Sequence, residues 1–519
     1  MLNKATDELI KVIVQIRRLK PNLSGHVLVF ILSTLIIVLL PGPTYYAGFL
    51  FLFILLSFLY HQDLTTALFH SYLLVFFFER PFFYLNSGAI QEYFYYEVPK
   101  NFFLPNSIPL RFIIFVFLVF SLFINQNSKN INLLKIKGHF LRALLASFLI
   151  LLLLSIDQIF GAYKIQYGWQ FVHLFQVFLT FPVISIFFLQ RSINNKALES
   201  VRLLLVGFAT ASLVIQGAIS VAQFSLQSRL NLRIEHTQPA LYTAEENVFR
   251  SAGTFSFPNY LGVNTSMLLL FPIFTIVKRL AQKNAAEFSK EKRWDFFWGI
   301  ASVIVGFFAL VLNFSRWVWL SFISILMASV FIRKKLFVKE VEKMNKSQKE
   351  LLIGGVLILI IVLVVSLGLR LRAINTFVVR VESAKQAISI IEKYPLFGVG
   401  PGLSGLRVAA VGKDYQKYAS SLRGVHNSIL YIAADNGLVL TLVFVVFVVI
   451  TLFHFLRYIN IFREDWFIFS LASAFILFLL NSLAYPLYTF DTSLELFLLF
   501  TAAFFVFSDK ILRLYHKKS

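Results

Sequence analysis

The amino-acid sequence predicts an all-α polytopic integral membrane protein of about 12–14 membrane-crossing helices, with a long outer segment before a late span. Three observations carry this reading. Of the 519 residues, 58% are apolar and only 14% charged, and Phe alone occurs 61 times. Apolar runs of roughly 15 to 25 residues recur from end to end, the length that crosses a hydrocarbon layer about 30 Å thick. Lys and Arg gather in the short connections between those runs, as they do where insertion retains them on the cytoplasmic side.

Taken in order, the spans begin near residues 26, 45, 64, 109, 139, 169, 200, 258, 296, 316, 351, 427, 466 and 490. The first two share one apolar run, residues 26–60, which divides at Pro41, Gly42 and Pro43, where a helix loses hydrogen bonds and turns. With the amino terminus inside, the inner connections hold 31 of the 48 Lys and Arg. Of the 17 outside, 9 lie in one long segment, residues 369–426, which constrains topology weakly. Both termini are therefore expected to be cytoplasmic. Outer segment 80–108, with Tyr93 to Tyr96 near Phe102 and Phe103, reads as an interfacial belt or a re-entrant edge. The basic inner segments 278–295 and 333–350 are expected to lie against anionic head groups.

Several chemistries are excluded at this stage. A net charge of +22 suggests nucleic acid, but its distribution is that of membrane topology, so no nucleic-acid partner is expected. Cysteine is absent, which removes disulfides, thiolate metal sites and a cysteine nucleophile. No Gly-Lys pair is followed by Ser or Thr, and the glycines of Phe397 to Gly405 follow no strand. The nine His residues are dispersed and acidic residues are thin in the spans, so no metal and no cofactor is expected.

What remains is a set of cationic and polar groups at the predicted outer face. Arg250 precedes SAGTFSFPN, in which Ser256 can cap and Pro258 can open the eighth span, with Asn259 in its first turn. Arg316, in NFSRWVW, lies where two apolar runs meet with almost no loop. A guanidinium placed deep there costs about 2.5–3.5 kcal/mol unless it snorkels or finds an anion. Arg380 lies in RVESAKQAISIIEKYP, where Val381, Ala384, Ala387, Ile388 and Ile391 recur at helical spacing, so an amphipathic helix resting on the outer surface is expected. His426 ends the outer segment, and Asn427 and Ser428 start the twelfth span. Within that span Asp435 is either a buried functional acid or part of a local break at Asn436 and Gly437 that water reaches.

Helices that run inward present free N–H groups and partial positive charge to the outer water, and such ends bind anions. Arginine adds bidentate recognition of oxygen. An anion carried on a lipid, such as a polyprenyl diphosphate, arrives at this depth. Arg423 and the start of the twelfth span both disfavour an imidazolium at His426, leaving a neutral ring that can act as general base. Taken alone, an arginine at a span boundary is usually a snorkelling anchor, and a lone outer histidine is usually structural or solvent-exposed.

In order, RSAGTFSFPNYLG (250–262), NFSRWVWL (313–320), RVESAKQAISIIEKYPLFGVGPGL (380–403) and HNSILYIAADNGL (426–438) resemble segments of the bacterial O-antigen ligase and O-antigen polymerase family. The resemblance covers about residues 245–445 and implies a fold related to the integral-membrane, GT-C-like glycosyltransferases. It implies three regions: an amino-terminal bundle (1–244), a catalytic region (245–445) that includes segment 369–426, and carboxy-terminal helices with a basic tail (446–519).

The implied activity is inverting, metal-independent transfer of a glycan from an undecaprenyl diphosphate carrier to a hydroxyl on a glycan, lipid or protein acceptor, at the outer face of the cytoplasmic membrane. Carried over by matched position, Arg316, Arg380 and His426 are catalytic, with the arginines on the diphosphate and the histidine on the acceptor or leaving group. Arg250, Asn259, Arg423, Asn427 and Asp435 form the substrate-binding set. The alternative is a transporter or a flippase of lipid-linked glycan. The sequence leaves ligase and polymerase unresolved.

Overall fold

In the computed structural model the apolar runs fold as helices. The structure describes residues 23–39, 43–61, 63–76, 81–84, 107–124, 138–160, 168–228, 230, 249–253, 255, 258–280, 290–334, 338, 341–342, 346, 349–350, 354, 375–400, 427–485, 487 and 491–516. The helices are α1 (Leu23–Leu39), α2 (Pro43–His61), α3 (Leu64–Val75), α4 (Leu110–Ile124), α5 (Gly138–Phe160), α6 (Gly168–Ser192), α7 (Asn195–Leu226), α8 (Pro258–Leu280), α9 (Lys290–Leu312), α10 (Arg316–Ile332), α11 (Asn375–Lys393), α12 (Ser428–Arg457), α13 (Ile459–Phe462), α14 (Trp466–Ser482) and α15 (Asp491–His516).

Six of these, α5 to α9 and α12, contain stretches long and apolar enough to cross a membrane. Shorter apolar helices accompany them. Helices stand near the expected start of every span but the one at 351, which lies outside the described residues apart from Gly354. Helix α1 ends at Leu39 and α2 opens at Pro43, where the missing N–H of proline costs nothing, while Pro41 and Gly42 lie outside the described residues.

Several helix starts are fixed by local chemistry. Asp63 caps α3 by accepting from Thr66 N at 2.6 Å and is paired with Arg191 at the end of α6. Asn194 caps α7 through Lys196 N at 2.9 Å, and Asp465 caps α14 through Phe467 N at 2.9 Å and Ile468 N at 3.2 Å. Each satisfies backbone donors that the first turn leaves unpaired.

The helical bundle carries one short strand pair, in which β1 (Pro81–Tyr84) runs antiparallel to β2 (Ser107–Pro109). Residues 85–106, including the aromatic cluster of segment 80–108, lie outside the described residues.

The bundle is built by successive neighbours and by long returns. Helix α7 packs along α1, α8 and α9; α15 packs along α6 and α14; α12 packs along α5; and α14 packs along α8. Lipid tails are as apolar as these side chains, so interdigitation rather than transfer from water holds the helices together. Phenylalanines supply much of it. Phe478 stacks on Phe497 with centroids 4.2 Å apart, Phe140 on Phe505 at 5.3 Å, and Phe181 meets Phe447 edge-on at 5.0 Å.

One fully buried ionic cluster crosses this apolar interior. Glu495 of α15 is ion-paired with Arg111 of α4 at 3.1 Å and accepts from Gln176 of α6 at 2.7 Å and from the Tyr72 hydroxyl of α3. Four helices are thereby tied at one point, and the carboxylate is compensated as a buried charge must be.

Candidate functional site

Arg250, Asn259, Arg316, Arg380 and Asn427, five of the expected site residues, lie near short turns at one end of the bundle. The α9–α10 turn is the first piece. Helix α9 ends at Leu312, Phe314 takes a left-handed backbone (φ 52°), and α10 begins at Arg316. Asn313 shapes the reversal. Its carboxamide accepts from Ser315 N at 2.8 Å and donates to Ala309 O at 3.2 Å.

Arg250 is built into this turn. Its Nε donates to Asn313 O at 2.9 Å, and its Nη2 donates to Asn259 Oδ1 at 2.7 Å and to Ser315 Oγ at 3.2 Å. Ser315 in turn donates to Asn259 Oδ1. The backbone joins as well, with Ser251 N bonded to Leu312 O at 3.0 Å. The first turn of α8, which carries Asn259, and the first turn of α10 are thus clamped together by one guanidinium.

Ser315 occupies the N-cap of α10 yet makes no side-chain capping bond, because its hydroxyl is engaged with Arg250 and Asn259. The first-turn N–H groups of α10 are therefore left without their usual cap, and Arg316 stands at the first helical position. A cation there works against the helix dipole, so helix stability does not explain it. An anion brought to this end would satisfy both the uncapped N–H groups and the guanidinium.

From Arg316 the site continues into the end of α14 and the start of α12. Trp317 Nε1 donates to Leu480 O at 2.7 Å, and Ser321 Oγ donates to Asn481 Oδ1 at 3.1 Å. Asn427 caps α12 by accepting from Ile429 N at 2.9 Å and Leu430 N at 3.0 Å, while its Nδ2 donates to Leu483 O at 3.1 Å. Ser428 Oγ donates to Tyr485 O at 2.7 Å. The guanidinium of Arg380 lies 5.7 Å from the Tyr485 ring centroid, a cation–π contact.

Helix α11 is amphipathic, as expected from its sequence, but its packed face is rotated. Ser383, Ala387 and Ile390 are buried, while Val381 and Ile388, expected on the apolar stripe, are exposed. Arg380 precedes Ser383 by three residues and so belongs to the inward line.

Loop 394–400 then locks α11 to a break in α12. Gly437 leaves helical geometry (φ 78°), Leu438 N bonds to Pro395 O at 2.8 Å, Val399 N to Ala434 O at 3.0 Å, and Gly400 N to Asp435 O at 2.8 Å. A Cβ on Gly437 would stand 2.0 Å from Leu396 O, and one on Gly398 2.3 Å from Asp435 O, so backbone meets backbone with no room for a side chain. The break at Asn436 and Gly437 is real, and Asp435 beside it is fully buried.

The structure thus brings Arg250, Asn259, Arg316, Arg380 and Asn427 to one end of the bundle and sets Asp435 in the junction. His426 and Arg423 lie outside the described residues, as does Ser256. Ser315 stands with Arg316 in NFSRWVW among the polar groups expected at the outer face, whereas Trp317 and Tyr485 carry no signal in the sequence, because each is ordinary until its partner is known. The fold also gathers His26, His61 and His70, with His61 Nε2 3.4 Å from His70 Nδ1. Among the described residues no group of three or more His, Asp or Glu is arranged to hold a metal ion.

Residues 301–445 match the family model described as O-antigen ligase, a stretch that includes Arg316, Arg380, Arg423, His426, Asn427 and Asp435. Arg250 and Asn259 lie upstream of it. The chain matches no curated protein.

Proposed function

We propose that this chain, whose residues 301–445 match the O-antigen ligase family model, transfers a glycan from an undecaprenyl diphosphate carrier to an acceptor hydroxyl at the outer face of the cytoplasmic membrane. The observation that carries the proposal is the arginine-bearing, uncapped start of α10, clamped by Arg250 through Asn259 and Ser315. Catalytic region 245–445 is served by a bundle from residues 1–244 and by the closing helices of 446–519. The excess of Lys and Arg in the inner connections supports a cytoplasmic position for both termini.

In the proposed reaction the acceptor hydroxyl attacks the anomeric carbon opposite the diphosphate, with inversion and without a metal. Negative charge grows on the leaving diphosphate as the glycosidic bond breaks. Arg316 and Arg380 hold that charge more tightly in the transition state than in the ground state, which is what accelerates the step. Donors fixed in advance avoid reorganisation at the moment of bond breaking. His426, directly before Asn427 in the chain, takes the hydroxyl proton. Asn259, Arg423 and Asn427 bind substrate, Arg250 supports the diphosphate site, and Asp435 contributes from the junction with loop 394–400. Acceptors of this class are glycans, lipids or proteins carrying a free hydroxyl.

Glu495 and Arg111, buried within the bundle, are the groups on which a transporter or flippase reading would rest. Their charges compensate each other, whereas the start of α10 carries Arg316 and no side-chain cap, so transfer is favoured. Purified protein supplied with a lipid diphosphate-linked glycan and an acceptor panel decides between them. Acceptor shifted on a gel supports transfer. Movement of donor across liposomes with no acceptor, and no shifted product, would support the carrier reading.

A further inference from the structure

We propose that Gln223 is a positioning residue for glycan transfer: from the last turn of α7 it fixes the 250–253 loop, and through Arg250 the turn that presents Arg316. The inference rests on the transfer reading above.

Gln223 lies in the amino-terminal region, outside the residues matched by the family model. Its side chain is 2% exposed, and both ends of its amide are used. Nε2 donates to Gly253 O at 2.8 Å, while Oε1 accepts from Ala252 N at 3.1 Å and Gly253 N at 2.9 Å. None of these bonds returns to its own helix. A buried amide is tolerated only when it is hydrogen-bonded, and here every bond goes to the loop that carries Arg250.

The loop has little freedom beyond this grip. Gly253 is left-handed (φ 62°), and a Cβ there would stand 2.3 Å from Gln216 Oε1, one side of the same helix filling the space that the backbone leaves. Phe224, next to Gln223, packs against Phe249 and Ala252 and meets Phe314 of the α9–α10 turn at 6.0 Å between centroids. Position therefore passes from α7 to loop 250–253, from Arg250 to Asn313, Asn259 and Ser315, and so to Arg316. A displacement on the order of 1 Å at a group aligned with a reacting centre costs up to about a hundredfold in rate.

The test uses the full chain in nanodiscs, a polyprenyl diphosphate-linked glycan as donor, and an acceptor that supports transfer. Gln223→Leu should lower kcat/KM by about ten- to a hundredfold, chiefly in kcat. Gln223→Glu keeps an oxygen for Ala252 N and Gly253 N and should retain more activity than Gln223→Leu. In an Arg316→Ala background, Gln223→Leu should cost nothing further, because the two act on one group. A wild-type kcat with only a lowered melting temperature would overturn the proposal, as would losses that multiply in the double variant. If Gln223→Leu does not fold, Gln223→Glu carries the same comparison of kcat and of the Arg316→Ala background.

Affinity for undecaprenyl diphosphate without glycan separates this link from the transfer reading. Severalfold weaker binding in Gln223→Leu, beside a wild type that transfers nothing, would keep the positioning of the diphosphate site and remove the transfer reading. Unchanged affinity with unchanged kcat would remove the link itself.

Discussion

Arg250 Nη2 stands 3.2 Å from Ser315 Oγ, and that bond removes the hydroxyl from its capping role at the start of α10. A serine at an N-cap ordinarily accepts from the N–H two or three residues on. Here it is held back by a guanidinium that also grips Asn259. The first turn of α10 then has N–H groups without a side-chain cap beside Arg316, a combination to which an anion is chemically suited.

Ser315→Ala tests this arrangement. It removes one contact of Arg250 and the bond to Asn259, and a net hydrogen bond contributes about 0.5–1.5 kcal/mol. Transfer should fall by about tenfold while the melting temperature moves by only a few degrees. Wild-type kinetics in Ser315→Ala would show that the clamp has no bearing on turnover.

Gly437→Ala should be among the most damaging small substitutions in the chain. The left-handed backbone costs about 1–3 kcal/mol for a residue with a side chain. Its Cβ would also meet Leu396 O at 2.0 Å, a backbone atom that cannot move aside. Thermal melting of the purified variant should show a drop of several degrees or failure to accumulate, and Gly398→Ala should behave alike. Normal melting would mean that the junction between loop 394–400 and α12 is looser than described.

Tyr485 separates ring from hydroxyl in the support of Arg380. Tyr485→Phe keeps the aromatic face and should transfer at close to the wild-type rate. Tyr485→Ala loses a cation–π contact of about 0.5–2 kcal/mol. Its kcat/KM should fall a few- to about thirtyfold, read from initial rates at low donor. Equal rates for both variants would detach the ring from the function of Arg380.

The buried Glu495–Arg111 pair predicts an asymmetric pair of effects. Glu495→Gln strands the Arg111 guanidinium and should destabilise the bundle by about 3–5 kcal/mol. Replacing both, as Glu495→Gln with Arg111→Met, should recover much of that loss. Melting temperatures of the two variants decide it, and equal destabilisation would show that the charge itself is not what the single variant exposes.

The helices were legible because length and hydropathy specify them, and most begin near the expected starts. Arg316 and Arg380 stand out in the sequence because they interrupt apolar surroundings, and Arg250 by its place before SAGTFSFPN. The inward line of α11 was not, since it runs through Arg380 and Ser383, polar residues that an apolar stripe leaves out. Nor could sequence show that Asp435 O and Gly400 N would meet, or that Gln223 would hold a loop some 30 residues away. Glu495 and Arg111 are nearly 400 residues apart, and each reads alone as an isolated charge in an apolar segment. Such roles are defined by partners, which only the fold supplies.

The central claim is that Arg316 and Arg380 stabilise a diphosphate as it leaves. Its most direct measurement is the single-turnover rate of glycan transfer from an undecaprenyl diphosphate donor at saturating concentration, in wild type, Arg316→Ala, Arg380→Ala and His426→Ala. The account predicts rates lower by orders of magnitude in each variant, with protein that still inserts and folds. Wild-type single-turnover rates in all three would contradict it.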